Sequence, residues 1–478
     1  MIHDVIVVGA GPGGSSAASF LARQGIDVLL LDKSDFPREK VCGDGLTPQA
    51  IYWLDRLGCA EEVLAQTKGV IKSCDLYING KRTLTGGFPD GTAYPDFAVL
   101  LDRRRFDHAI LQNALAHGAE FRPGCVVREV RQESDAAVVT ARTRQGMVEF
   151  RGRIVIGADG VSSAVGRALG NIPKGGVAAL SLRTYYSGAR YEGAPIKVYF
   201  DHSYFPGYGW LFADDDGLAN IGLGYAVDPN FPMPGNLRVA FDRFIATEMA
   251  EPLAGATRCG PISGGSAYFY RPQAISGDRI MLIGDAANQA DPLNGGGIHK
   301  AMESAYLAAE TARGALAAGD FSRRSLALYD RMWNERVECD WQTAEIFLTI
   351  AKNPNLRHFC LFLLEQIGRL TTEDNTFQDF CAGVFSGVVS QSLCLSPRML
   401  YHAFPKDRQA WKSYLDANGG IGRAPIRLMR ESLSTLAGAG SSAARDPLPN
   451  LDWGMEVAIK SLKLAERHVR NYAQPRYH

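Results

Sequence analysis

The chain has 478 residues, 46% hydrophobic and 21% charged, an ordinary globular composition that is too long for one simple core and implies two or three layers or subdomains. Lys+Arg and Asp+Glu both number 51, and no long basic run occurs, which argues against a nucleic-acid footprint. Nine scattered cysteines show neither a CxxC pair nor Cys/His ligand spacing, so reduced thiols in a cytoplasmic protein are expected, with no metal centre and no disulfide framework.

Ile2–Val8 is a short apolar run carrying His3 and Asp4, which reads as a strand and not as a signal peptide. It leads into Gly9-Ala10-Gly11-Pro12-Gly13-Gly14, then a helix expected over Ser15–Arg23 and a buried strand over Ile26–Leu31 ending at Asp32 and Lys33. Gly9 permits the tight turn, Gly11 lets backbone approach a pyrophosphate, and Gly14 lets helix and strand pack closely. The N-terminus of the helix that follows Pro12 offers free N–H groups to phosphates. Asp32 is placed for ribose hydroxyls and disfavours a 2′-phosphate. FAD and NAD are not separated by this motif alone.

Further along, Asp75–Asn79 and Lys81–Thr85 read as a hairpin around Asn79–Gly80. Short strands follow at Val126–Val130, Ala137–Ala141, Met147–Phe150 and Arg153–Ile156, with Val127 a candidate cofactor contact. Val177–Tyr186, Pro195–Asp201, Trp210–Ala213 and Ala219–Val227 read as a second, mainly antiparallel sheet, with Asp214–Gly217 as a turn. Ile280–Ile283 is another buried strand. Helical spacing takes over from about 298 to 352. Beyond it, Leu356–Leu370 and Phe377–Leu395 read as helices, Ala437–Asn450 as a linker and Trp453–Tyr472 as a basic helix. No internal repeat is evident, and no uninterrupted apolar run reaches the roughly 18 residues of a membrane span.

Two stretches separate FAD from NAD. Arg153–Gly160 reads RIVIGADG, giving Asp159 and Gly160. Ile280–Gly297 reads IMLIGDAANQADPLNGGG and leads into Ile298. The second stretch delivers Asp285, after Gly284, to a ribityl or pyrophosphate region. It also aims a helix starting near Gly297 at another part of the ligand. A reduced flavin carries negative charge near N1 and O2, which a helix N-terminus stabilises; NAD has no such need.

In this order, the three motifs resemble those of glutathione-reductase-type flavoproteins, which include p-hydroxybenzoate hydroxylase-like monooxygenases and geranylgeranyl reductases. The resemblance covers about residues 2–320. It implies that Asp285 binds the ribityl–pyrophosphate end of FAD, that the Gly295-Gly296-Gly297-Ile298 backbone lies against the isoalloxazine, that Arg103 in LDRRRFD stands beside the flavin, and that Pro292 is a further cofactor contact. No second GxGxxG exists for a stably held nicotinamide. NAD(P)H is therefore expected to bind transiently, or an external reductase to supply electrons.

Two elements resemble the geranylgeranyl-reductase branch. Phe36–Pro48 matches its PRxKxCGDGLTP element, in which Cys42, followed by Gly43, faces flavin and substrate. Pro206–Phe212 with Asn220–Gly224 matches its PGYGWxFP and NIGxG strands, which line a lipid cavity. Ala213 departs from the branch by replacing its usual Pro, and the GGG turn is like that of archaeal prenyl reductases.

The expected architecture is α/β. A discontinuous Rossmann-like FAD-binding domain takes residues 1–70, 101–170 and 271–320, a mainly antiparallel substrate sheet takes 71–100 and 171–270, and a helical C-terminal region takes 321–478. The expected activity is reduction of carbon–carbon double bonds in a prenyl or polyene chain, with hydride from flavin N5. Cys42 would donate or relay the proton, and the faces of Tyr208 and Trp210 would stabilise positive charge. His299 reads equally as a flavin contact or a surface residue, and the other cysteines as structural. The substrate is lipophilic, with peripheral membrane contact as an expectation and the oligomeric state open. A flavin monooxygenase, hydroxylase, epoxidase or halogenase on a secondary metabolite is the alternative, although the halogenase WxWxIP element is unmatched. A non-redox flavin protein, as in cyclisation, is the third reading.

Overall fold

A computed structural model describes residues 1–171, 178–227, 235–272 and 274–354, scattered positions from 357 to 391, and 455–461 with 463–464. The expected linker Ala437–Asn450 lies outside these residues, as do most of Trp453–Tyr472 and parts of Leu356–Leu370 and Phe377–Leu395. Helix Asn375–Ser386 and a helical stretch within 455–464 are described.

Parallel pairing joins Ile280–Leu282, Gly146–Gly157, Ile2–Val8, Val28–Leu31 and Glu120–Arg122 into one sheet in that order, with fully buried Val, Ile, Leu and Met at Val5–Val7, Val28–Leu31, Ile154–Ile156 and Ile280–Leu282. Strands covered on both faces read as continuous apolar runs because neither side meets water. The first helix spans Pro12–Ala22, three residues earlier than the sequence suggested. Proline suits the first helical turn because its fixed φ is already helical and its missing N–H would have had no partner. Gly13 and Gly14 therefore lie inside the helix. Gly14 packs so closely that a Cβ there would stand 1.7 Å from the Gly9 carbonyl oxygen.

The two expected strands Met147–Phe150 and Arg153–Ile156 are one strand, Gly146–Gly157. Its first half pairs antiparallel with Ala137–Thr143, its second half parallel with Ile2–Val8. Gly152 does not break it; the Ile6 side chain fills the space a Cβ would need.

The second sheet runs Thr257–Arg258, Ala178–Ser187, Ala219–Val227, Tyr208–Ala213, Ile196–Phe200, Ser73–Ile78, Lys81–Gly87, with Ser263–Tyr268 also paired to Ala178–Ser187. Its pairs are antiparallel except Ile196–Phe200 with Ser73–Ile78. Asn79 and Gly80 both have positive φ, 49° and 75°, as a two-residue hairpin turn twisted with its strands requires. Ala213 N–H donates to the Pro195 carbonyl at 3.1 Å. The proline usual at this position in the branch has no such donor.

Leu237–Thr247 is a helix the sequence reading passed over. Phe241 and Phe244, three apart and 1% exposed, bury its inner face against the sheet. Gly209 leaves the room that Phe244 fills. Helices Ile298–Ala318 and Arg323–Ala351 follow the last parallel strand.

Candidate functional site

One cavity of about 960 Å³ runs between the two sheets, near the upper end for ligand sites. Of the residues singled out from the sequence, all but Gly14 line it, including Asp32, Cys42, Arg103, Val127, Asp285, Gly295, Tyr208 and Trp210. Gly14 sits behind the wall, packed on Gly9.

At one end the wall is backbone. Gly9 has φ +100°, and a Cβ would lie 2.3 Å from the Ala158 oxygen. Gly11 opens to the cavity, its nearest neighbour being the Arg38 guanidinium. Asp32, buried, accepts from Ala10 N–H at 2.7 Å and Ser34 N–H at 2.8 Å, which fixes the carboxylate beneath the turn. Asp159 is held by its own loop: Ser163 Oγ donates to it at 2.5 Å and Ala164 N–H at 2.6 Å. Burial raises its carboxyl pKa. Asp285 accepts from Lys40 Nζ at 3.1 Å.

Arg103 and Arg38 share one buried carboxylate. Arg103 makes a bidentate pair with Asp107 at 2.7 and 2.8 Å, and Arg38 reaches the same group at 3.2 Å. Two guanidinium groups on one carboxylate leave a positive excess beside the Gly11 turn, where helix Pro12–Ala22 also points its positive end. This fits a pyrophosphate. Arg103 also faces the Cys42 side chain.

At the other end the wall is side chain. Tyr208, Trp210 and Phe212 alternate along one strand and so share a face, with successive ring centroids 6.1 and 6.4 Å apart. The Trp210 indole lies over Gly222 of the neighbouring strand, where a Cβ would stand 2.0 Å from the ring. Tyr208 Oη donates to the Asn294 carbonyl at 2.6 Å, tying this row to the turn before helix Ile298–Ala318. His299 is 4% exposed and lines the cavity, so the surface option is set aside. Burial drives its pKa down to about 3, and Thr47 Oγ1 stands 3.4 Å from its Nδ1. The imidazole is neutral.

The sequence reading passed over Arg38, Asp44, Asp107 and Asn220. Arg38 and Asp44 sit inside the quoted Phe36–Pro48 element, and Asp107 is four residues after Arg103 on one helix, the spacing of an ion pair.

Residues 3–182 match the family model described as an FAD binding domain. The chain is 33% identical over 319 residues to a menaquinone reductase of Mycolicibacterium smegmatis, covering 64% of this chain and 75% of that protein. It is 30% identical over 369 residues to a digeranylgeranylglycerophospholipid reductase of Methanopyrus kandleri, covering 72% and 91%. The chain belongs to the geranylgeranyl reductase-like family of FAD-dependent oxidoreductases. A geranylgeranyl bacteriochlorophyll reductase-like protein of Thermoplasma acidophilum shares the fold, with TM-score 0.65, 22% identity, and coverage of 85% of this chain and 98% of that one. Flavin-dependent brominase and monooxygenase structures share it as well. The family and the cavity agree on the cofactor: the enzyme binds FAD in a glutathione-reductase-type fold, with the glycine turn, the Arg38–Arg103 excess and the Gly295–Ile298 turn as the residues that would hold it.

Proposed function

We propose that this oxidoreductase saturates carbon–carbon double bonds of a prenyl or polyene chain. The observation that carries the reading is the continuity of one cavity from the Gly9 turn, past Cys42, to the Tyr208–Trp210–Phe212 row. Relatives named as reductases of menaquinone and of a digeranylgeranyl phospholipid support it. Bound FAD, once reduced, supplies a hydride from N5.

The chain's own residues supply the rest. The aromatic faces stabilise positive charge on the carbon that awaits the hydride and exclude water from it. Burial pushes the Tyr208 phenol above its usual pKa, so the ring stays neutral while its hydroxyl is tied to Asn294. Cys42 gives its proton to the other carbon of the double bond and regains one from solvent. The Arg103 guanidinium faces the sulfur. One hydride and one proton thus add across the bond, and the cysteine is restored. Electrons enter from NAD(P)H bound transiently or from an external reductase.

A lipophilic chain implies that the enzyme meets its substrate at a membrane surface. Among the described residues no helix is long and apolar enough to cross one.

The test is anaerobic. Dithionite-reduced enzyme is mixed with menaquinone or a digeranylgeranyl lipid, and the product is weighed by mass spectrometry. A gain of two hydrogens per bond is expected. Absence of saturated product, with oxygen incorporated in a parallel run under isotopically labelled O2, would overturn the reading in favour of a monooxygenase.

A further inference from the structure

The Cys42 loop and the Trp210 strand belong to different parts of the fold, yet one side chain joins them. Asn220 lies on strand Ala219–Val227, opposite Phe212 in register. Its amide oxygen accepts from Trp210 Nε1 at 3.0 Å. Its Nδ2 donates to the Cys42 carbonyl at 2.8 Å and to Asp44 Oδ2 at 2.8 Å. Both hydrogens and the oxygen of a buried amide are therefore committed. Tyr185 Oη donates to the same Asp44 oxygen at 2.5 Å, from strand Ala178–Ser187.

Asp44 itself is an odd choice for a structural residue. Its backbone is left-handed, φ 64°, where glycine is easiest. Its carboxyl is 4% exposed, and Oδ1 has no hydrogen-bond partner. Such a group weakens the fold unless something else requires it.

We propose that Asn220 and Asp44 are positioning residues, forming a clamp that sets the Cys42 loop against the Trp210 indole. The proposal rests on the reading that those two groups flank the reacting bond. It adds the device that fixes their separation. The geometry explains each component. Asn220 spans loop and indole, Asp44 stops the amide from turning, and Tyr185 anchors Asp44 to the next strand.

The charges facing Asp44 come from every side. Arg183, on the Tyr185 strand, stacks over the Tyr185 ring at 4.2 Å and pairs with Glu39 at 3.2 Å. Arg103 faces it from helix Arg103–Ala116. Burial outweighs these partners and holds the carboxyl pKa up to about 6. The clamp thus changes charge near pH 6. Ionised, Asp44 accepts strong charge-assisted bonds from Tyr185 and Asn220. Protonated, it accepts weaker ones.

The test uses the flavin-loaded full chain and reads the Cys42 thiol directly. Iodoacetamide labelling is followed by mass spectrometry of the Cys42 peptide, alongside flavin content, kcat and KM with menaquinone. Asn220→Ala removes three hydrogen bonds. We expect about tenfold faster labelling of Cys42 and about tenfold lower kcat, with KM changed much less and flavin retained. Asp44→Gly, which suits the left-handed backbone and so folds, produces the same shift. Asp44→Asn restores most of the labelling protection and removes its dependence on pH around 6.

Unchanged Cys42 labelling in Asn220→Ala and Asp44→Gly, with flavin bound, overturns the clamp whatever the reaction is. Full turnover by Cys42→Ala overturns the role given to the thiol, while the labelling result still decides the clamp. In a Cys42→Ala background, the kcat loss from Asn220→Ala shrinks if the amide acts through Cys42. Additive losses overturn that coupling.

Discussion

The two ends of the cavity are built from different materials. At the parallel sheet main chain comes to the cavity at Gly9 and Gly11, flanked by the Arg38 and Arg103 guanidinium groups. At the antiparallel sheet the wall is side chain, the row of Tyr208, Trp210 and Phe212. A main-chain wall recognises a fixed group, such as a pyrophosphate, through N–H donors that any sequence owns. Where the chain comes closest, it needs the absence of a Cβ. A side-chain wall can be changed residue by residue without moving the fold. The cofactor end is thus intolerant and the substrate end adjustable.

The sharpest way to break this contrast is Gly14→Ala. A Cβ would stand 1.7 Å from the Gly9 oxygen and 3.2 Å from the Ala158 side chain, and the first contact is backbone, which cannot rotate away. The helix must shift off the strand, taking the Gly9–Pro12 turn with it. We expect the purified protein to be nearly colourless, read by flavin absorbance per mole of protein. A yellow variant with normal flavin content would remove the claim that this turn is packed to its limit.

The antiparallel sheet has its own intolerant spot, away from the cavity row. Lys197 and Asp75 form an ion pair at 3.0 Å, with side chains 4% and 0% exposed. Thr85 Oγ1 at 2.6 Å and Ala194 N–H at 3.2 Å complete the carboxylate. Lys197→Met leaves Asp75 charged and partly unpaired in the interior, which costs about 3–5 kcal/mol. The expected result is a large fall in the denaturant midpoint, with flavin still bound in the surviving folded fraction. A loss below about 1 kcal/mol would mean that water reaches the pair.

The contrast also explains what was legible in the sequence. Asp32 was readable because an acid closes the strand that follows the glycine turn, and the glycine turn and the Gly295 turn were readable because Gly9 and Gly295 have the positive φ that favours glycine. The hairpin at Asn79–Gly80 was readable for the same reason. The merged Gly146–Gly157 strand was not, because nothing local shows that Ile6 fills the place of a Gly152 side chain. Nor was helix Leu237–Thr247, whose phenylalanines have meaning only against Gly209 of a distant strand. Arg38, Asp44 and Asn220 were missed because their partners lie far off in sequence: Asn220 meets Asp44 across 176 positions. Hydrogen-bond networks of side chains leave no periodic signal.

Asp44 yields a smaller, pH-dependent effect. Its folded pKa, about 6, lies above its ordinary 3.8, with burial as the main cause. Between those values the folded state holds more protons than the unfolded one. Stability contributed by this group is therefore lost as pH rises through that window, and the penalty is complete above it. At about 1.4 kcal/mol per unit, the penalty is of order 2–3 kcal/mol at neutral pH. Asp44→Asn carries no charge and removes it. The variant should melt above its parent at pH 8, and the gap should close towards pH 4, as measured by thermal unfolding across that range. A gap independent of pH would mean that Asp44 titrates alike in both states.

Gly222→Ala gives the smallest effect and tests whether the substrate end is adjustable. The added methyl would stand 2.0 Å from the Trp210 ring, but a ring can tilt where a backbone carbonyl cannot. Trp210 must then turn about its Cα–Cβ bond, which stretches its 3.0 Å hydrogen bond to Asn220. Losing that bond is worth about 1 kcal/mol, so kcat should fall by roughly fivefold to tenfold. Flavin content should not change, because no main-chain group at the cofactor end moves. If Gly222→Ala instead loses its flavin as Gly14→Ala does, the two walls are mechanically one, and the substrate side is no freer to vary than the cofactor side. If turnover is unaffected, the indole face contributes nothing to the reaction and the charge-stabilising role given to Trp210 fails.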